Sequence, residues 1–372
     1  MSIRALEFYS GIGGLHLALL RSGIDAQVIR AFDWDQTACQ VYETNHGDIV
    51  QKADISTLGA SSLSPLQADL WLLSPACQPY TVLNPNAKGA KDPRAQSFLH
   101  LVQNVLPELS SGDEHPDRLF VENVAGFEMS STRQILVSTL RAIGYTITEF
   151  LLTPLQFGVP NSRLRYYLLA KKSPLSFATI QPSENGVIWR QIPGKGLPWT
   201  DPRLDEQVQT SNPPMIHTIK EYLDPNDGSE IYGIPDKVLK KWGRLFDIVK
   251  PSSRRTCCFT RGYTQLVERA GSILQENEDL DTTATFDAFL EASNSGDHHV
   301  VDILRPLRLR YFSPSELLRI FAFDPPTSAG PSTFVWPEKI STKSKYKLIG
   351  NSVNVHVVQQ LIMYLFQEPE PM

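Results

Sequence analysis

A cysteine set between two prolines, in Ser74-Pro75-Ala76-Cys77-Gln78-Pro79-Tyr80, is the first residue of this chain whose setting suggests covalent chemistry. Proline restricts the loop backbone, so the thiol is presented in few orientations, which suits a nucleophile. A lone cysteine is more often a small buried residue, and only its neighbours decide between the two. Glu122, in Glu122-Asn123-Val124, follows an apolar run. A carboxyl group there either caps or pairs, or is kept protonated as an acid. In Val159-Pro160-Asn161-Ser162-Arg163-Leu164-Arg165 the two arginines alternate with period two and so share one face. Two guanidiniums side by side suit a phosphate or a carbonyl oxygen, or else a surface ion pair.

A second group of residues points to a cofactor. Tyr9-Ser10-Gly11-Ile12-Gly13-Gly14 follows an apolar strand and opens a helix, the place where a backbone can approach a ligand closely. The dinucleotide fingerprint G-x-G-x-x-G would need glycine at position 16, where the chain has His16, and this argues against a nicotinamide cofactor. Phe32-Asp33-Trp34-Asp35 ends the next strand. Asp33 can accept both hydroxyls of a ribose and Trp34 can cover an adenine face. Asp54 and Ile55 are placed to read the adenine edge. In sheet order these features favour an adenosine-containing cofactor without a pyrophosphate, a description that S-adenosylmethionine fits.

These residues need a frame. Buried strands are expected at 5–9, 28–32, 70–73, 119–121 and 166–171, and helices at 15–21, 36–42, 98–106 and 135–143. Such alternation predicts an α/β fold, an open parallel sheet with helices on both faces. Beyond Lys172 the chain turns rich in Pro, Gly, Ser, Asn and Asp without sustained periodicity, as in a smaller, loop-rich domain. We expect residues 1–185 and 325–372 to form the large domain and 186–324 the small one. Residues 275–299 read as an exposed acidic insertion, and 346–366 as one helix packed back on the large domain.

The 372 residues carry 35 Lys+Arg against 40 Asp+Glu, a net charge of −5, with 41% hydrophobic residues. That apolar content excludes general disorder, and no apolar run approaches the ~20 residues of a membrane span. Four cysteines without a paired framework point to a reducing compartment, and the N-terminus does not read as a signal peptide. The acidic balance speaks against unspecific coating of nucleic acid.

The ordered set FYSGIGG, AFDWD, ADI, SPACQPY, ENV, VPNSRLR and IGNSV resembles the cytosine-C5 methyltransferase family, from Phe8 to about Val355. The segment Arg255-Thr256-Cys257-Cys258-Phe259-Thr260-Arg261 is similar to that of the branch that methylates tRNA, chiefly tRNA-Asp at cytosine 38. The resemblance implies a Rossmann-like S-adenosylmethionine-dependent sheet and a small target-recognition domain. Cys77 would then be the nucleophile toward carbon 6, Glu122 the group at N3, Arg165 the ligand of the base carbonyl, and Arg163 a residue that holds the loop or lowers the cysteine pKa. The cofactor would be held by Phe8, Tyr9, Ser10, Gly11, Ile12, Gly13 and Gly14, by Asp33, Trp34, Asp54 and Ile55, by Pro75, Ser97 and Leu99, and by Asn351, Ser352 and Val353. Its product would be S-adenosylhomocysteine, and no metal is expected. Gln78, Lys88, Lys91, Arg94, Arg254, Arg255, Cys258, Phe259, Thr260 and Arg261 would meet the tRNA, with 80–94 as a mobile active-site loop.

The family usually carries Pro-Pro-Cys where this chain has Pro75-Ala76-Cys77. Losing that proline loosens the loop by about 0.5–1 kcal/mol and predicts a slower enzyme rather than an inactive one. A DNA cytosine-C5 methyltransferase is the rival activity, and a weakly active tRNA- or cofactor-binding sensor the rival from another class. A monomer in the cytoplasm, and also the nucleus, is expected.

Overall fold

The computed structural model describes residues 2–80, 89–178, 186–195, 216–225, 229–294, 300–327 and 330–369. Strands β1 (Ile3–Phe8), β2 (Ala26–Asp33), β3 (Val50–Lys52), β4 (Leu70–Leu73), β5 (Arg118–Val124), β6 (Tyr145–Leu152), β7 (Arg165–Lys172) and β8 (Ile188–Trp189) form one sheet in the order β3-β2-β1-β4-β5-β7-β6-β8. β4 is buried at all four positions, as its unbroken apolar run requires. Helices α1 (Gly14–Arg21) and α2 (Gln36–His46) follow the first two strands, and α2 is capped by Asp35, which accepts from Thr37 N at 2.9 Å. α3 (Ala60–Leu63), α4 (Gln96–His100), α5 (Leu106–Ser111) and α6 (Ser131–Ala142) pack with their apolar residues on one face of the sheet.

The sheet departs from the all-parallel expectation at one strand. β7 runs antiparallel to both β5 and β6 between which it lies. Its first residue, Arg165, therefore pairs with Val124 at the end of β5. In a parallel strand that residue would begin at the opposite edge, more than a strand's length away.

The rest of the chain builds a lobe and returns. α7 (Ser229–Tyr232), α8 (Asp236–Trp242), β9 (Ile248–Val249), β10 (Ile273–Gln275), α9 (Thr282–Asn294) and β11 (Leu309–Arg310) follow, with the short sheet ordered β11-β10-β9. Within 275–299 the expectation of an exposed insertion is corrected for the described part: Gln275 is fully buried in β10. Phe286 and Phe289 of α9 enter a separate apolar cluster with Leu239, Leu304 and Leu307. Two rings three residues apart make a stripe narrow enough to hide in an acidic segment, yet burying each is worth about 1.5–3 kcal/mol. α10 (Pro314–Ile320), α11 (Thr342–Asn351) and α12 (Val355–Phe366) cover the other face of the large sheet together with α1. The single helix expected at 346–366 is two. Ser352 ends α11, and Asn354 caps α12 by accepting from Val357 N at 3.1 Å.

Candidate active site

The carboxyl ends of β1 and β4 flank the point where the strand order reverses, the place where open α/β sheets bind ligands. A cavity of about 220 Å³ opens there. Its walls come from the turn after β1, the end of β2, the loop after β4, the end of β5, the start of β7 and the junction between α11 and α12.

At one end the walls are mostly backbone. Gly11 and Gly13 take φ of 53° and 85°, and the Gly11 N–H donates to Asp33 Oδ2 at 2.8 Å. Asp33 Oδ1 accepts from Asp35 N at 2.8 Å. Burial raises the Asp33 pKa, and these backbone bonds oppose the rise. A Cβ on Gly14 would stand 2.8 Å from Val353 Cγ2, so the absence of a side chain lets the 351–353 segment close this end. Ser10 lines the cavity, and its buried Oγ has no hydrogen-bond partner.

The other end is dense in ionisable groups. Glu122 Oε1 lies 3.5 Å from Arg165 Nε, both side chains largely buried. At that separation the attraction is about 5 kcal/mol for an effective dielectric constant near 20, against several kcal/mol to desolvate each ion. The balance is close, and burial wins for the carboxyl: Glu122 is held above the usual carboxylate range, with Arg165 and Arg163 pulling it down. Burial also raises the Cys77 thiol, opposed by Arg165 and Arg163 and reinforced by Glu122. Asn123 Nδ2 donates to the Pro75 carbonyl at 3.1 Å, and Tyr80 N donates to the Cys77 carbonyl at 3.0 Å. These two bonds fix the cysteine loop from either side of Ala76.

Arg163 is a strut. Its guanidinium donates to the carbonyls of Phe259 at 2.8 Å, Ser352 at 2.6 Å and Gly350 at 3.2 Å, and it lies 4.8 Å over the Phe321 ring. It also donates to Cys258 Sγ at 3.3 Å, as Arg165 does at 3.5 Å. Burial pushes the Cys258 thiol up, but the two guanidiniums outweigh it and the net shift is downward. Cys77, not Cys258, lines the cavity, so position rather than resting acidity distinguishes the two thiols.

The cavity walls gather Tyr9, Ser10, Gly11, Gly14, Asp33, Pro75, Cys77, Gln78, Glu122, Arg163, Arg165, Asn351, Ser352 and Val353. Other expected residues stand behind or apart from them. Phe8, Ile12, Ile55 and Leu99 are core residues, and Ser97 meets the site through the Tyr9 hydroxyl at 3.0 Å. Gly13 belongs to the turn but faces away from the cavity, with no room for a side chain. Trp34 is 69% exposed, and Asp54 caps a short turn by accepting from Ser56 N.

Among the expected tRNA contacts, Phe259 is corrected. Its ring is fully buried against Tyr263 and Phe312, so its carbonyl on Arg163 is its link to the site. Thr260 packs backbone to backbone against Gly350. Arg94 pairs with Asp92 at 2.7 Å and Arg255 with Asp247 at 3.0 Å, while Arg254 bonds the Ile216 carbonyl. Lys91 and Arg261 are exposed, and Lys88 falls outside the described residues. Asn123 and Gly350 are the positioning residues the sequence did not single out by role, since each works through a partner remote in the chain.

Among the described residues no group of three or more His, Cys, Asp or Glu could hold a metal ion, and no helix is long and apolar enough to cross a membrane. The family model of C-5 cytosine-specific DNA methylases matches residues 3–367. A tRNA (cytosine(38)-C(5))-methyltransferase of Schizosaccharomyces pombe is 37% identical, over 98% of this chain and 97% of its own length. The Homo sapiens protein of the same description is 34% identical, over 98% and 99%. A DNA (cytosine-5)-methyltransferase of Dictyostelium discoideum is also 34% identical, over 99% and 95%. The crystal structure of the S. pombe Dnmt2 methyltransferase superposes with a TM-score of 0.77 at 35% identity, covering 98% of both chains. Sequence order, sheet topology and cavity agree, and the chain belongs to the C-5 cytosine-specific DNA methylase family.

Proposed function

We propose that this protein methylates carbon 5 of cytosine in tRNA, with cytosine 38 of the tRNA-Asp anticodon loop as target and S-adenosylmethionine as donor. The observation that supports this most is the cavity that gathers Cys77, Glu122 and Arg165 at one end and Asp33 and the Gly-rich turn at the other. Nearly full-length likeness to tRNA enzymes supports the choice of nucleic acid. The turn fits an adenosine cofactor without phosphates. Ser10, whose Oγ has no partner, and Asp33 line the cavity, whereas Glu7 does not and takes the His16 N–H at the start of α1. Ser10, Gly11, Asp33 and Val353 would hold the cofactor, which supplies a methyl group on a sulfonium.

Carbon 5 of cytosine is a poor nucleophile until a group adds to carbon 6. Cys77, giving up its proton, forms the sulfur–carbon 6 bond, with Arg165 and Arg163 favouring the thiolate. The electron pair displaced from the 5,6 double bond moves toward N3, where Glu122, whose pKa burial raises, is placed to share a proton. Arg165 donates to the base carbonyl. Carbon 5 then takes the methyl group; its proton leaves to solvent, that bonding pair re-forms the 5,6 double bond, Cys77 departs as thiolate, and the N3 proton returns to Glu122. The base must leave its stack, which costs least in a loop.

Labelled S-adenosylmethionine offered with tRNA-Asp and, separately, with duplex DNA tests the proposal. Label is expected in tRNA and absent with Cys77→Ala. Label in DNA alone would establish the second reading, which the Dictyostelium relative favours. Label in tRNA at an undiminished rate with Cys77→Ala would end the nucleophile assignment.

A further inference from the structure

His16, the residue that breaks the dinucleotide fingerprint, sits in a buried polar cluster beneath the Gly-rich turn. Glu7 of β1 is fully buried. Its Oε1 accepts the backbone N–H of His16 at 3.3 Å, and its Oε2 accepts the Tyr42 hydroxyl at 2.8 Å. His16 Nδ1 stands 2.7 Å from the same hydroxyl. The His46 ring, from the last turn of α2, stacks on the His16 ring with centroids 4.2 Å apart.

The cluster presses directly on the turn. A Cβ added to Gly13 would lie 2.3 Å from His46 Nε2 and 3.2 Å from Tyr42 Cδ2. That His46 nitrogen is buried and makes no hydrogen bond, so its place is fixed by stacking and by contact with Gly13. Gly13 in turn donates its N–H to the Ser10 carbonyl at 2.9 Å, closing the loop that carries Ser10 and Gly11. Burial holds both histidines neutral, with His46 lowered to about 4. None of Glu7, His16, Tyr42 and His46 lines the cavity.

We propose that Tyr42 and His46 are positioning residues for the cofactor end of the site. They set the height and tilt of the Ser10–Gly14 turn from below, while Glu7 anchors the start of α1 in place of a ligand phosphate. The proposal rests on the S-adenosylmethionine reading and predicts an effect confined to cofactor binding. A role in core packing alone would lower stability without separating cofactor KM from kcat.

The test uses the full chain with His46→Ala, His46→Gln and Tyr42→Phe, assayed well below each variant's melting temperature. Calorimetry gives the Kd for S-adenosylhomocysteine, and initial rates give KM for S-adenosylmethionine, KM for tRNA and kcat. His46→Ala and Tyr42→Phe are expected to raise cofactor KM and Kd about five- to ten-fold, the size of one or two lost net contacts. Saturating kcat and tRNA KM should stay within about two-fold, as loss of ground-state cofactor binding requires. The planar amide of His46→Gln should recover most of the loss. Unchanged cofactor Kd in both His46→Ala and Tyr42→Phe, or a fall in kcat with cofactor KM unmoved, would overturn the proposal. Wild-type protein that binds no S-adenosylhomocysteine would overturn the cofactor reading as well.

Discussion

The two ends of the cavity are built on opposite principles. At the cofactor end the shape depends on side chains that are missing: Gly13 over His46, and Gly14 against Val353. At the base end it depends on ionisable groups held by buried partners, Glu122 against Arg165 and Arg163 on backbone carbonyls. A site of the first kind is sensitive to added volume, and one of the second kind to altered charge or hydrogen-bond geometry. Binding and chemistry therefore have separable weak points in one continuous pocket.

Substitutions at each end can break that contrast. The largest effect is expected from Glu122→Gln, which keeps the shape and removes the exchangeable proton. Single-turnover methyl transfer should fall about 10²–10⁴-fold with cofactor affinity retained. A rate within a few-fold of wild type would show that shape alone suffices at the base end. Next comes Arg163→Lys, which keeps the charge but cannot span three carbonyls and a thiol. A loss of about 2–3 kcal/mol in urea unfolding is expected, since bonds from a charged donor to buried carbonyls are left unmade. Unaltered stability would mean that the junction of α11 and α12 holds without it.

The last test concerns Glu7 and is read as a pH trend. Burial pushes its pKa from 4.5 up to about 8, so between these values the folded protein binds a proton that the unfolded chain has released. Folding is therefore favoured at the acid side of that window and loses stability as pH rises through it. Glu7→Gln should remove this fall, so the wild-type and variant unfolding midpoints diverge as pH rises from 5 toward 8. Parallel curves across that range would show that Glu7 is ionised throughout.

Much of the base end was legible before any coordinates, because Cys77 and Glu122 sit in short motifs directly after strands. Arg163 and Arg165 were legible as a pair, but their arrival at the same edge depends on β7 running antiparallel, and periodicity carries no strand direction. The break between α11 and α12 hid inside a continuous apolar pattern, although Asn351, Ser352 and Asn354 are residues that favour helix ends. Phe259 was misjudged, since the ring expected at a surface is core, whereas Trp34, expected to cover a ligand, lies open. The cluster under the turn left one trace, an acid inside the apolar strand that holds Glu7. Its partner Tyr42 lies 35 residues along the chain, beyond the reach of a local pattern.

Gly350 gives the mouth of the site its mechanical character. A Cβ there would fall 2.3 Å from the carbonyl carbon of Thr260 and 2.4 Å from Arg261 N, so main chain rests on main chain where the lobe meets the body. Such a joint has no rotamers to exchange and little slack to take up. A polynucleotide substrate of the kind proposed above would therefore meet a set spacing between these two segments, and the work of fitting would fall on the nucleic acid. A loop whose bases already splay outward meets that demand at lower cost than a stacked duplex.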